Sequence, residues 1–124
     1  MRLALQEIAI NDWTPVCALD DILPGTGVGA LIDGTQIALF RLDHDQVFAL
    51  DNFDPHSQAN VLSRGIVGDL GGELVVASPG YKQHYRLRDG QCLENPDHSV
   101  HAYAVRVVDQ TVEVALQASV SAAA

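Results

Sequence analysis

Two stretches decide how this chain reads. The first runs Val47-Phe48-Ala49-Leu50-Asp51-Asn52-Phe53-Asp54-Pro55-His56 and continues to Ala59-Asn60-Val61-Leu62-Ser63-Arg64-Gly65. The second runs Val75-Val76-Ala77-Ser78-Pro79-Gly80-Tyr81-Lys82-Gln83-His84-Tyr85-Arg86-Leu87-Arg88-Asp89-Gly90. Each begins as a short apolar run of strand character and breaks at a residue followed by proline. Each then sets polar side chains in the break.

Hairpin signals surround these stretches. Asp33-Gly34 separates Val28–Ile32 from Gln36–Arg41, and Asp-Gly between apolar runs is the strongest short-range hairpin signal. Asp89-Gly90 predicts a second hairpin, between Tyr85–Arg88 and Gln91–Leu93. Asp109-Gln110 joins Ala102–Val108 to Thr111–Leu116. In that last pair Tyr103, Val105 and Val107 alternate with Ala104, Arg106 and Val108, the two-residue period of a strand. Further strands are expected at Trp13–Ala18, Val47–Asp51 and Leu74–Ala77. Glycine and proline punctuate the chain too often for a helical period to develop. Leu3–Ile10 reads equally as one turn or an extra strand, and the small, polar tail from Gln117 to Ala124 is expected to fray. About nine short strands at hairpin spacing predict an all-β fold, a small antiparallel sandwich or barrel. It should occupy residues 12–116, behind an N-terminal extension of residues 1–11.

The 124 residues suit one domain with core enough to fold without a metal or disulfide. A net charge of −9 argues against nucleic acid or an anionic membrane surface as partner, since both demand clustered Lys and Arg. Two cysteines, Cys17 and Cys92, are too few for a disulfide scaffold or a thiolate zinc site, and both are expected to be small buried side chains. Gln6 and Glu7 break the apolar run at the N-terminus, so no signal peptide is read there. No segment approaches the ~20 apolar residues of a membrane span. A cytoplasmic location is the expectation.

Most catalytic motifs are absent. Gly25-x-Gly27-x-Gly29 lacks dinucleotide spacing and reads as a loop feeding the Val28–Ile32 strand. His98 and His101 point to opposite faces of an extended segment, so they should not share a metal, and His44 reads as a solvated turn residue.

The two opening stretches resemble the Rieske ferredoxin domain. That family carries Cys-x-His in a first loop and Cys-x-x-His in a second, each after a strand, followed by a trailing aromatic residue and glycine. Asp54-Pro55-His56 stands where Cys-Pro-His would, and Ser78-Pro79-Gly80-Tyr81 where Cys-Pro-x-His would. Tyr85 and Gly90 fall on the trailing aromatic and glycine. A [2Fe–2S] centre of this kind takes two thiolates and two imidazoles. Asp54, His56, Ser78 and Tyr81 retain one imidazole of the four ligands, which implies a Rieske-like fold without its cluster and no cofactor on this chain.

Within that family, Ala49-Leu50-Asp51-Asn52, Val61-Leu62-Ser63-Arg64-Gly65, Tyr81-Lys82-Gln83-His84-Tyr85 and Gly90-Gln91-Cys92-Leu93-Glu94 look like the NirD-type small subunit of assimilatory NAD(P)H nitrite reductase. The resemblance implies a non-catalytic subunit. Its partner would be a large subunit carrying FAD, sirohaem and an iron–sulfur cluster, which uses NAD(P)H to reduce nitrite to ammonium. It also implies that the former cluster loops meet that partner, through His56, Lys82 and His84 with Arg86 on the following strand. Two other readings stay open: a weak mononuclear metal site on Asp54 and His56, and a generic cluster-free interaction module of another oxidoreductase.

Overall fold

A computed structural model describes residues 12–80 and 83–120. Among them the chain forms eleven strands and no α-helix: β1 (Thr14–Ala18), β2 (Thr26–Ile32), β3 (Thr35–Arg41), β4 (Val47–Asp51), β5 (Phe53–Asp54), β6 (Ala59–Asn60), β7 (Ile66–Leu70), β8 (Glu73–Ala77), β9 (His84–Arg86), β10 (Ala102–Val108) and β11 (Thr111–Val120). Six of them make one antiparallel sheet in the order β1-β11-β10-β4-β3-β2. A three-stranded sheet, β7-β8-β9, and the short pair β5-β6 complete the fold.

Turn chemistry explains the hairpins. Asp33 and Gly34 both take positive φ, 49° and 80°, as a two-residue turn matched to strand twist requires. They zip β2 onto β3 from Ile32↔Thr35 to Thr26↔Arg41. Asp109 and Gln110 do the same for β10 and β11, at 50° and 65°.

The core has two clusters, and β3 is the wall between them. Ile37 and Leu39 face one cluster, with Leu19, Ile22, Ala49, Val112 and Val114. Ala38 and Phe40 face the other, with Leu50, Leu62, Val76, Tyr85, Leu87 and Cys92. A strand buried on both faces reads as a continuous apolar run, which is why Ile37-Ala38-Leu39-Phe40 shows no alternation. The second cluster lies beneath β8 and β9 and carries the candidate site.

Three sequence expectations need correction. Gln91–Leu93 is not a strand; only a single bridge joins Cys92 to Tyr85. Leu87 turns inward and is buried, and Asp89 accepts from Arg86, so β9 ends early in a wider turn closed by Gly90 N–H to Arg86 O at 2.7 Å. β7 was not foreseen, because Gly68 interrupts its pattern; the Gly71-Gly72 turn before β8 was its signal. β11 runs past Leu116 to Val120, since a bulge between Tyr103 and Ala104 brings Ser119 and Val120 opposite Tyr103 and Ala102. Leu3–Ile10 lies outside the described residues.

Candidate functional site

Alternation along β5 sends Phe53 outward and Asp54 inward. Phe53 is 45% exposed, while Asp54 is 0% exposed. A carboxylate removed from water must find donors or give up its charge. Asp54 finds them. Its Oδ1 accepts from the His56 N–H at 3.0 Å and from the Tyr85 hydroxyl at 2.6 Å, and its Oδ2 accepts from the Ser57 hydroxyl at 2.9 Å. Asp54-Pro55-His56 is thus the turn in which an aspartate accepts from the backbone two residues on. Burial pushes the Asp54 pKa up, but donation from Tyr85, Ser57 and the His56 N–H outweighs it and holds the carboxyl below its usual range. Ser78 adds the smallest pull. Its buried hydroxyl faces this carboxylate without making a hydrogen bond of ordinary geometry.

Tyr85 comes from β9, 31 residues away, and is itself fully buried. Burial and the neighbouring Asp54 carboxylate push its hydroxyl pKa far up, so it stays a donor. One hydrogen bond therefore joins the first loop to the strand behind the second.

His56 is exposed, and its ring centroid stands 5.7 Å from that of His98. His98 arrives on a 3₁₀ turn, Pro96–His98, capped by Asn95 Oδ1 accepting from Asp97 N–H. His84 takes no part in the Asp54 network. Its Nδ1 lies 2.6 Å from Glu94 Oε2, and its N–H donates to Glu94 Oε1 at 2.7 Å. Burial raises the Glu94 pKa, and these two donations bring it below the ordinary value. Arg86 donates to Asp89, Gln91 and Glu73, and Arg88 pairs with Glu73 at 3.1 Å. The run of cations in the second stretch is therefore largely neutralised within the fold, and Arg86 holds the turn after β9. Tyr81 and Lys82 lie outside the described residues.

Sequence order hid two neighbours of the site. His98 reaches His56 through a long connection. Cys92 is buried beside Tyr85 with its thiol 3.3 Å from Gln83 Oε1, and burial pushes that thiol's pKa up. Ser57 could have been read, since a serine three residues after an aspartate can close a local turn. Cys17 is only half-buried.

Asp54 and Ser78 do not fit the [2Fe–2S] group that the fold family implies. Both oxygens of the carboxylate are engaged by donors, and a serine hydroxyl is no thiolate. The same engagement argues against a metal on Asp54 and His56. Among the described residues no three His, Cys, Asp or Glu side chains converge as a metal site.

The Rieske-like [2Fe-2S] domain family matches residues 12–115. The nitrite reductase (NADH) small subunit of Salmonella typhimurium is 52% identical over 106 residues, covering 85% of this chain and 98% of that one. The chain belongs to the nitrite reductase small-subunit family. A solution structure of another family member, the nitrite reductase [NAD(P)H] small subunit of Erwinia carotovora, superposes with a TM-score of 0.74 at 54% identity, covering 84% of this chain and 81% of that one. A stretch of the Klebsiella oxytoca nitrite reductase [NAD(P)H] large subunit is 50% identical over 105 residues, which is 85% of this chain and 11% of that protein. In Klebsiella the small-subunit fold is thus part of the large polypeptide.

Proposed function

We propose that this chain is the non-catalytic small subunit of an assimilatory NAD(P)H-dependent nitrite reductase in the cytoplasm. It supports a large subunit that holds FAD, sirohaem, the iron–sulfur cluster and the NAD(P)H site. The observation that carries this reading is the Klebsiella large subunit. A sequence found as a separate small subunit in one organism and inside the large subunit in another works beside the large subunit's chemistry. The carboxylate-centred site supports the non-redox part, because Asp54 is committed to closing its own loop and holding it to β9.

Contact is assigned to the former cluster loops, at His56, Lys82 and His84, with Arg86 on the strand behind. No helix among the described residues is long and apolar enough to cross a membrane.

Co-expression of tagged chain with the large subunit tests the assignment. Co-purification and NAD(P)H-dependent nitrite consumption are expected, and Lys82→Glu should weaken assembly more at low salt than at high salt, because rim charges act through screened attraction. Asp43→Lys, exposed and unpaired, should do little. Arg86→Glu is a poor probe, since it would set a carboxylate against Asp89 and Glu73. Absence of any complex would overturn the assignment.

A further inference from the structure

A second surface beside the loops carries an argument of its own. Leu31 is 67% exposed, Phe53 45% and Ile66 77%. Contacts through the Leu62–Arg64 turn bring them onto one flank. Leu62 N–H donates to Asn52 O at 3.1 Å and Ser63 N–H to Asn52 Oδ1 at 2.7 Å, which fastens the 3₁₀ turn Leu62–Arg64 beside Phe53. The same turn lies over β2. A Cβ on Gly27 would meet Ser63 O at 2.8 Å, and one on Gly29 would meet Ser63 Oγ at 3.4 Å. Leu31 lies two residues further on that face of β2, and Ile66 begins β7 two residues after Arg64.

Arg64 ends that turn, is exposed, and comes two residues before Ile66. Arg41 is tied to Asp45 and two backbone carbonyls, Arg86 to Asp89, Arg88 to Glu73, and Arg106 to Glu113 and the Trp13 ring. Among the described residues Arg64 is the one cation with no ion pair and no side-chain hydrogen bond. An exposed guanidinium without an ion pair, on a turn that adjoins strands bearing exposed Leu31, Phe53 and Ile66 in a chain of net charge −9, has the composition of an interface centre.

We propose that this flank, centred on Arg64 and Ile66, is a docking surface for the large subunit, which meets it with an apolar patch bearing a carboxylate. The occupant follows from charge complementarity and from the Klebsiella protein, in which the same fold is carried by the large subunit itself. The proposal rests on the small-subunit reading and adds a contact that the loops do not supply.

The test uses the co-expressed complex with Arg64→Glu, Ile66→Asp and the pair, beside Leu23→Asp and Val108→Asp as exposed apolar controls elsewhere. Each variant chain is first checked for a wild-type melting curve. The pair should weaken assembly about tenfold or more, each single change less, and the controls little. Wild-type assembly by the folded pair would overturn the proposal, while the small-subunit reading would stand on the unmodified complex. Wild-type chain that dimerises alone and is made monomeric by Ile66→Asp would also overturn it, in favour of a second copy as occupant.

Discussion

Asp54 shows how one substitution changes what a site does. A thiolate at that position would offer its charge to iron, whereas the carboxylate spends its charge on Tyr85, Ser57 and a backbone N–H. Because the folded-state pKa is depressed, the group's contribution to stability is fully present above the ordinary aspartate range, about pH 4, and is lost as pH falls through the folded value. Tyr85→Phe removes a donor from a buried charge and should cost about 1–3 kcal/mol at neutral pH. It should also move the acid-unfolding midpoint upward, since the carboxylate then protonates more easily. Asp54→Asn should flatten the stability loss below about pH 4. Thermal melts of the three proteins across pH check this, and parallel pH profiles would count against a charged Asp54. The resemblance singled out Asp54 in the first loop, at a former ligand position. Its bond to Tyr85 was not legible, because the partner is 31 residues away and only the packing of β9 brings it there.

At the scale of elements, legibility followed locality. The Asp33-Gly34 and Asp109-Gln110 hairpins could be read because the turn residues themselves set φ. Asp89-Gly90 misled, because its aspartate binds the Arg86 guanidinium and its glycine serves a distant contact. Gly90 has φ +80°, and a Cβ there would sit 2.1 Å from Val100 O, while Val100 N–H donates to Gly90 O at 2.9 Å. The trailing glycine of the motif is thus explained by close approach as well as by conformation. Gly90→Ala should therefore destabilise the fold by more than about 3 kcal/mol, combining backbone strain with a clash that something must move to relieve. Gly71→Ala, also at positive φ (60°) but facing open space, should cost only about 1 kcal/mol. Denaturant unfolding of the two variants measures the difference, and equal costs would mean that the Val100 contact is not what fixes Gly90.

For the molecule as a whole, two apolar clusters either side of β3 hold a frame on which one hydrogen bond ties the first loop to β9. The order and spacing of the motifs across residues 12–116 made that frame recognisable in the sequence. The Arg64 flank was invisible there, because it assembles from β2, β5, β7 and a short turn that touch only after folding. On the proposed reading, function at this scale is support: a small all-β subunit with a Rieske-like frame, whose Asp54 is held in a hydrogen-bond network, works beside the large subunit. The most direct test is an iron and acid-labile sulfide count on the chain after anaerobic purification of the complex and separation from the large subunit. The account predicts a colourless chain with neither element, which rejoins the large subunit and sustains nitrite consumption. Roughly two irons and two sulfides per chain, with [2Fe–2S] absorption, would contradict it.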